Sequence, residues 1–395
     1  MIRRLPARWF VVGIFVLSSS LNYLDRQILA ALAPLIKVEF GLSNADYGKI
    51  LAAFSLAYAA CAPVAGLLID RFGLNRGITA GVGLWSLAGI ATGLVSSFQG
   101  LVACRAALGA AEASGIPASG KAFHTYLPAS ERAFGPALNQ VGLSLGSVLA
   151  PPLATWLALA YGWRTAFVVA GALGFLWIPL WLWASDKAPR LGEDPTAVPV
   201  SVTGMLGDRL LWGMVAANVL SMTVYTLWTN WTTLYLQTAH ELSLAAANRL
   251  APYPFAAAYA GGLFGGWLSL RWVRRGVEPL AARRKACLAS AVLVTLTAAI
   301  PWLPGPLWAA AGVSLSFFAV TSFSVNLYTM PLDVFGPRAA FGVSMLTFAY
   351  GAMQALVSPW IGATVDRWGF APVIVAVSLM PAAAWTILAL TQRSK

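Results

Sequence analysis

The sequence has few charged side chains. Only 10% of its 395 residues are Asp, Glu, Lys or Arg, while 59% are hydrophobic. Soluble domains carry roughly 25% charged and 45–50% apolar residues. This composition excludes a soluble domain, and with it a basic surface for nucleic acid, in spite of the net charge of +12. It indicates an integral membrane protein embedded in the lipid bilayer.

Side chains that bind metals or act as nucleophiles are also scarce, with three cysteines and two histidines. The cysteines lie in or beside apolar runs, at spacings that fit neither a disulfide framework nor a metal site. The chain contains no HExxH motif and no Walker loop. We therefore expect no metal, no cofactor and no catalytic residue, which argues against a membrane enzyme or a receptor.

The long apolar runs are numerous enough for twelve membrane helices, because one span needs about 20 apolar residues. They lie at about 9–36, 46–69, 76–95, 98–122, 134–158, 163–184, 212–238, 251–272, 284–303, 306–328, 340–363 and 370–391. We predict an all-α integral membrane fold of twelve transmembrane helices.

The distribution of Lys and Arg orients these helices, because cytoplasmic loops collect basic residues. With the N-terminus inside, the inner segments hold nineteen of the 26 basic residues and the outer segments hold five. The other two, Arg26 and Arg105, lie within predicted spans. We predict a multi-pass protein of the cell (inner) membrane with both termini in the cytoplasm.

The longest polar interval, from Ser185 to Arg209, is rich in Pro, Gly and charge and follows the sixth span. Such a segment is typical of a linker between domains. It predicts an N-terminal six-helix bundle at residues 1–184, a cytoplasmic linker at 185–211 and a C-terminal six-helix bundle at 212–395. We expect the chain to work as a monomer.

Four charged side chains lie well inside predicted spans rather than at their ends: Asp25, Arg26, Arg105 and Glu112. Arg105 and Glu112 share a face of the fourth span, whereas the adjacent Asp25 and Arg26 point about 100° apart. One of the latter two is expected to face a cavity and the other a helix partner. Charges inside a membrane usually pair in the bundle interior and mark functional sites. A guanidinium there can bind a carboxylate through two points. The alternative is an ion pair that only fixes helix packing.

The loop after the second span reads GLLIDRFGLNR, residues 66–76. It resembles the signature of major facilitator transporters, in which glycines allow a tight turn and the aspartate pairs with basic groups or a helix N-terminus. The resemblance implies two six-helix halves and a conformational latch on the cytoplasmic side. The latch residues would be Gly66, Asp70, Arg71, Gly73 and Arg76. A generic turn is the alternative.

A similar string, GATVDRWG at 362–369, falls on the outer side, and we do not assign it that role.

Three strings carry a closer resemblance: NYLDR at 22–26, RAALGAAEASGIPASGKAF at 105–123 and NQVGLSLGSVLAPPL at 139–153. They are similar to the anion:cation symporter branch of the major facilitators. That branch includes bacterial hexuronate and galactonate transporters and the animal sialin and vesicular glutamate carriers. Its hexuronate-type members have a glycine in helix five, as this chain does at Gly142, where galactonate-type members have glutamine. The resemblance implies a small organic anion, such as a sugar acid or another carboxylate, as the substrate.

The same resemblance implies roles for the charges within spans. Arg26 and Arg105 would lie near the substrate carboxylate, and Asp25 and Glu112 would bind the protons that drive symport. Protons are preferred to sodium because we locate no converging carboxylates and carbonyls for a sodium ion. Further candidate substrate contacts are polar or aromatic residues in spans: Tyr23, Asn139, Gln140, Tyr225, Asn230, Trp231, Asn326, Tyr350 and Gln354. For the second-half candidates, an interhelical hydrogen bond or an interfacial aromatic is the alternative.

A second resemblance within the same fold remains open. LNYLDR at 21–26, LWSL at 84–87 and GAAEAS at 109–114 are also similar to spinster-type carriers of lipids and sphingosine phosphate. That resemblance implies a transporter of amphiphilic anions. Its cavity would be apolar and open towards the lipid, whereas the cavity of an anion symporter would be compact and lined by arginines.

Overall fold

The computed structural model describes residues 7–128, 131–132, 134–191 and 203–391, and every regular element in these ranges is a helix. Both ends of the chain, the middle of the predicted linker at 192–202, and residues 129, 130 and 133 lie outside the described residues. Helices satisfy their own backbone hydrogen bonds, which lipid cannot do for an irregular chain. The long apolar runs therefore fold as helices.

Fourteen α-helices follow one another along the described chain. They are α1 (Ala7–Phe40), α2 (Asn44–Phe72), α3 (Leu74–Thr92), α4 (Phe98–Glu112), α5 (Gly115–Tyr126), α6 (Phe134–Tyr161), α7 (Trp163–Ser185), α8 (Arg209–His240), α9 (Leu244–Leu250), α10 (Pro252–Val273), α11 (Pro279–Thr295), α12 (Gly305–Phe335), α13 (Ala339–Trp368) and α14 (Phe370–Leu390). Short 3₁₀ turns lie at Thr203–Gly207, Leu296–Trp302 and Gly336–Arg338.

The predicted spans all fall on helices, and the all-α membrane fold is confirmed. Nine segments of the described chain are helices long and apolar enough to cross a membrane. The fourth predicted span differs from expectation, because it is divided into α4 and α5. Pro117 explains the division: it has no N–H to donate to the carbonyl of Ala113, so the helix stops and restarts there.

The chain divides into two compact units. Unit 1 comprises Met1–Gly41 and Lys49–Ala197, and unit 2 comprises Leu42–Gly48 and Val198–Lys395. Helix α2 therefore begins in unit 2 and continues into unit 1. The predicted domain boundaries stay a prediction, since residues 192–202 lie outside the described part of the chain.

Unit 1 is built around α1, which packs against α6 and α7. Two glycines of α6 allow the close approach: an added methyl at Gly142 would lie 2.6 Å from Val16 Cγ1, and one at Gly146 would lie 3.0 Å from Leu24 N. On the other side, the Trp177 indole donates to the Ile14 carbonyl at 2.7 Å. These contacts fix the helix that carries Asp25 and Arg26.

Unit 2 is built around α12, which packs against α8, α10 and α11. Gly261 and Gly265 of α10 face the backbone of α12, where an added methyl would overlap Phe318 or Ser322. The amide of Asn326 donates to the carbonyl of Gly265 at 3.0 Å and so ties the two helices together. Small residues at such crossings are typical of packing between membrane helices.

Candidate functional site

Arg26 of α1 lies in a cage formed by one carboxylate and three aromatic rings. Its Nε donates to Glu112 Oε2 of α4 at 2.5 Å. The guanidinium carbon lies 5.1 Å from the ring centre of Tyr23 and 4.9 Å from those of Phe54 and Tyr58. Aromatic faces attract cations at these distances. We call Tyr23, Phe54, Tyr58 and Glu112 the Arg26 cage.

The cage leaves part of the Arg26 side chain accessible. This side chain is 23% exposed, whereas that of Glu112 is 0% exposed. Glu112 engages the guanidinium at Nε, and the rings lie over the same group. The two terminal Nη nitrogens form a planar fork that matches a carboxylate. Glu112 and the rings thus hold a guanidinium that is still partly accessible.

The two oxygens of Glu112 have different surroundings. Oε2 accepts the bond from Arg26, whereas Oε1 is buried and makes no bond to Arg26. The side-chain amide of Asn22, one turn before Arg26 on α1, also interacts with this carboxylate. Glu112 is therefore held by two side chains of α1.

Asp25 points to a different set of neighbours from Arg26. It is 4% exposed, and its Oδ1 lies 3.9 Å from the position that a methyl on Gly89 of α3 would take. Its electrostatic partners are Arg105 and Glu112. Arg105, 2% exposed, lies with its guanidinium 5.4 Å from the ring centre of Phe167. The adjacent acid and base of α1 thus face different surroundings, as their angular separation predicts.

The structure brings most first-half candidates to one region of unit 1. Tyr23, Arg26 and Glu112 share the cage, and Asp25 and Arg105 interact beside it. Asn139 is half-buried and accepts a hydrogen bond from the Ser19 hydroxyl at 2.6 Å, which joins α6 to α1. Gln140 is exposed.

Two second-half candidates come together in unit 2. The rings of Tyr225 and Tyr350 lie 6.2 Å apart, edge to face, and Tyr225 also packs on Phe317 at 5.0 Å. Gln354 is half-buried, one turn along α13 from Tyr350, and its main-chain carbonyl accepts from Ser358. These half-buried side chains of α8 and α13 form the candidate site of unit 2.

The other second-half candidates are engaged in helix packing. The Asn230 amide donates to the Thr226 carbonyl of its own helix at 3.0 Å. Trp231 is fully buried and packs edge to face on Tyr47 and Phe370. Asn326 donates to carbonyls of α10 and α12. These contacts match the alternative of interhelical hydrogen bonds and packed aromatics.

The predicted latch loop joins α2 to α3. Gly73 has a φ of 84°, a conformation that favours glycine and allows α3 to start at once. Asp70 accepts a hydrogen bond from Lys121 of α5 at 3.0 Å, yet its side chain is 75% exposed. Arg71 stacks on Phe72, and Arg76 is exposed. Gly66 lies on α2 opposite Pro117.

Sequence reasoning missed Phe54 and Tyr58 of the cage, and Lys121 as the partner of Asp70. The signal for the two aromatics was their spacing of four residues, which puts them on one face of α2. The described residues contain no cluster of His, Cys, Asp or Glu that could hold a metal ion. The Arg26 cage consists of one carboxylate and three aromatic rings.

Comparisons with known proteins agree with this architecture. Residues 15–342 match the family model of the Major Facilitator Superfamily. The chain is 31% identical to the hexuronate transporter of Escherichia coli (strain K12), over 96% of this chain and 94% of that protein. It is 30% identical to the galacturonate transporter of Dickeya chrysanthemi, over 75% of this chain and 90% of that protein.

A solved structure shows the same fold. It is the crystal structure of a bacterial homolog to the human lysosomal transporter Spinster, in an inward-facing and occupied conformation. The TM-score is 0.81 at 20% sequence identity, over 98% of this chain and 97% of that chain.

Proposed function

Because the chain belongs to the Major Facilitator Superfamily and is a membrane transporter rather than an enzyme, we propose that it carries a sugar acid together with protons. The substrate is a small organic anion, and transport proceeds by alternating access of a central site. No cofactor takes part. The protein works as a monomer in the cytoplasmic membrane, with both termini inside, as the positive-inside rule predicts.

The observation that carries the proposal is the geometry of Arg26. Glu112 bonds to Nε and the rings cover the guanidinium, while the side chain stays 23% exposed. A carboxylate that approaches in the plane of the guanidinium can accept two hydrogen bonds from it. The rings hold Arg26 in place before substrate arrives, which lowers the entropy cost of binding.

The chemistry of the relatives supports the same substrate class. Their names refer to hexuronate, galacturonate and D-galactonate. These substrates share one carboxylate and several hydroxyl groups. Arg26 would bind the carboxylate, and polar or aromatic side chains such as Tyr23, Tyr225 and Tyr350 would contact the sugar.

Coupling to protons follows from the single guanidinium that Glu112 and the substrate would share. A substrate carboxylate on Arg26 places a second negative charge beside the buried Glu112. Two carboxylates at one site cannot both stay ionised without cost, so one takes up a proton. Oε1 of Glu112, which makes no bond to Arg26, is the atom that would hold it. Asp25, which interacts with both Arg105 and Glu112, is the second proton carrier.

Transport of lipid-like amphiphiles is the remaining alternative. The likeness to the Spinster homolog, at 20% identity, concerns the fold alone. A carrier of amphiphiles needs a long apolar path, whereas the groups assembled here are two arginines and two carboxylates in balance. The charged cage therefore favours a small hydrophilic anion.

The test is uptake of radiolabelled D-galacturonate into proteoliposomes that contain the purified chain. Uptake should accelerate when the outside is made more acidic than the inside, and unlabelled uronates and aldonates should compete. The neutral sugar galactose is the matched control and should not compete. Lack of competition by every sugar acid would refute the substrate class. Uptake indifferent to the pH gradient would refute the coupling.

A further inference from the structure

A row of exposed apolar side chains on α10 ends in an arginine. Leu263 and Trp267 are one turn apart and exposed, and Arg271 is the next residue of the same row. The Arg271 guanidinium lies 5.6 Å from the ring centre of Trp267. Tryptophan side chains of membrane proteins concentrate at the level of the lipid headgroups. Arg271 is therefore expected at the depth of the lipid phosphates.

A second row, on α11, ends in the same way. Val292 and Leu288 are exposed, and Lys285 is the next residue of that row towards the start of the helix. A lysine near the end of a membrane helix extends its amine towards the headgroups. The rows of α10 and α11 thus each present apolar side chains to lipid tails and a base to the headgroup.

The two helices are held together at these basic ends. Helix α10 packs against α11. Arg283 of α11 donates to the hydroxyl of Ser269 on α10 and, at 3.2 Å, to Asp333 Oδ2 on α12. Ser269 is fully buried. Arg271 and Lys285 therefore belong to neighbouring helices whose ends are fixed relative to each other.

The turn between α10 and α11 adds two further arginines. Arg274 and Arg275 are both exposed. The backbone N–H groups of Arg275 and Val277 donate to the carbonyl of Trp272 at 3.0 and 3.1 Å, and Gly276 closes the turn with a φ of 85°. We call Arg271, Arg274, Arg275 and Lys285 the basic rim. All of its members belong to unit 2.

The basic rim carries an excess of positive charge. Residues 266–285 contain six basic side chains and one acidic side chain. The acid, Glu278, accepts from the backbone N–H groups of Leu280 and Ala281 at the start of α11. The nearby Asp333 pairs with Arg283. Within the described residues, no ion pair includes a member of the basic rim.

The corresponding turn in the first half of the chain does contain an acid. Asp70 follows Gly66 by four residues and accepts from Lys121 at 3.0 Å. In the second half, the residue four positions after Gly266 is the exposed Leu270. The basic rim therefore lacks the carboxylate that this position supplies in the first half.

We propose that the basic rim binds the phosphate of an anionic phospholipid, whose tails lie along the exposed rows of α10 and α11. Clusters of four or more Lys and Arg at the cytoplasmic end of a membrane helix attract anionic headgroups. The planar fork of arginine matches phosphate oxygens. A zwitterionic lipid carries its own ammonium, which the rim would repel. The inference goes beyond the proposed function and involves neither sugar acid nor proton.

The alternative is that these bases only orient the chain in the membrane, as basic residues of cytoplasmic loops do in general. Orientation needs positive charge but no particular arrangement of it. A lipid site depends instead on bases placed at the ends of the two rows. The test must therefore separate the position of the charges from their number.

The test is native mass spectrometry of the delipidated full chain, titrated with phosphatidylglycerol or with phosphatidylcholine. The parent should bind one phosphatidylglycerol at least about tenfold more tightly than phosphatidylcholine. The triple variant Arg271→Gln, Arg275→Gln, Lys285→Gln should lose roughly a hundredfold in affinity for phosphatidylglycerol, about fivefold for each base. Equal affinity of the parent for the two lipids would overturn the proposal.

The matched control removes three exposed bases that lie on neither α10 nor α11: Lys187→Gln, Arg190→Gln, Arg209→Gln. It loses the same charge as the triple variant and should bind phosphatidylglycerol as the parent does. An equal loss in this control would overturn the proposal, because net charge alone would then explain binding. Glycerol 1-phosphate should not compete with the lipid. Full competition would mean that the rim takes a soluble anion, which would also overturn the assignment.

A measurement on the parent alone covers the case in which the triple variant does not fold. Phosphatidylglycerol should raise the thermal midpoint in detergent more than phosphatidylcholine does. High salt should remove that difference, because it screens exposed charges. Equal midpoints at low salt, or a difference that high salt leaves unchanged, would contradict the proposal. Lipid binding needs neither substrate nor a pH gradient, so a failed transport assay would leave this result unaffected.

Discussion

Arg26 and Glu112 are 86 residues apart in the chain, yet Arg26 Nε donates to Glu112 Oε2 at 2.5 Å. The bond uses one nitrogen of the guanidinium and one oxygen of the carboxylate. The Arg26 side chain is 23% exposed, whereas that of Glu112 is fully buried. In the function proposed above, Arg26 would bind the substrate carboxylate and Glu112 would take up a proton, so that this one pair would link two binding events.

Arg26→Lys should weaken substrate binding with little effect on folding. Lysine keeps the charge beside Glu112 but loses the planar fork. The loss of one charge-assisted hydrogen bond costs about 2 kcal/mol, or roughly thirty-fold in affinity. Isothermal titration with galacturonate measures the change. The control is Arg164→Lys at the Arg164–Glu39 pair, which should leave affinity intact. Unchanged affinity in Arg26→Lys would show that Arg26 only fixes helix packing.

Glu112→Gln should uncouple transport from protons. The amide keeps an oxygen for Arg26 Nε but cannot take up a proton. We expect uptake to lose its response to a pH gradient while exchange of labelled for unlabelled galacturonate continues. Glu131→Gln changes another Arg–Glu pair, that with Arg8, and should keep coupling. Gradient-driven accumulation in Glu112→Gln would assign the proton to another group.

Tyr58→Leu should lower substrate affinity by releasing Arg26 from one side of its cage. A cation–aromatic contact contributes about 0.5–2 kcal/mol, so the loss is roughly two- to thirty-fold. Tyr58→Phe keeps the ring and should fall between the parent and Tyr58→Leu. The same titration measures all three proteins. If Tyr58→Phe and Tyr58→Leu lost affinity equally, the hydroxyl rather than the ring would be the important part.

The fold and the charged residues of the site could be predicted from the sequence, because charged residues are rare in this chain. Long runs without charge indicate membrane helices, and the few charges inside such runs indicate a site. A charge within an apolar run is costly and therefore conspicuous, as Asp25 and Arg105 are. Phe54 and Tyr58 escaped notice because aromatic residues are common in this chain, at 12%. Their role depends on where α2 packs against α1, which a helix pattern does not fix.

The break in the fourth span and the contact of Asp366 with the first turn of α2 illustrate the same limit. The sequence shows Pro117, but the apolar run continues on both sides of it. Composition alone therefore predicted one uninterrupted span. Asp366 and Asn44 are 322 residues apart, and their contact depends on the approach of two helices at glycines. Local sequence patterns predict individual helices, whereas contacts between helices that are distant in the chain depend on how the helices pack.

Gly146→Ala should destabilise the protein, because α6 packs against the backbone of α1 at this glycine. The added methyl would overlap the Ser20 carbonyl and lie 3.0 Å from Leu24 N. Overpacking of this kind costs about 1–3 kcal/mol, and the thermal midpoint in detergent should fall. Gly13→Ala is the matched control on α1, because nothing lies within 4 Å of its methyl and alanine favours a helix. A midpoint for Gly146→Ala equal to that of Gly13→Ala would show that α6 and α1 can separate freely, and that the site is not held by this crossing.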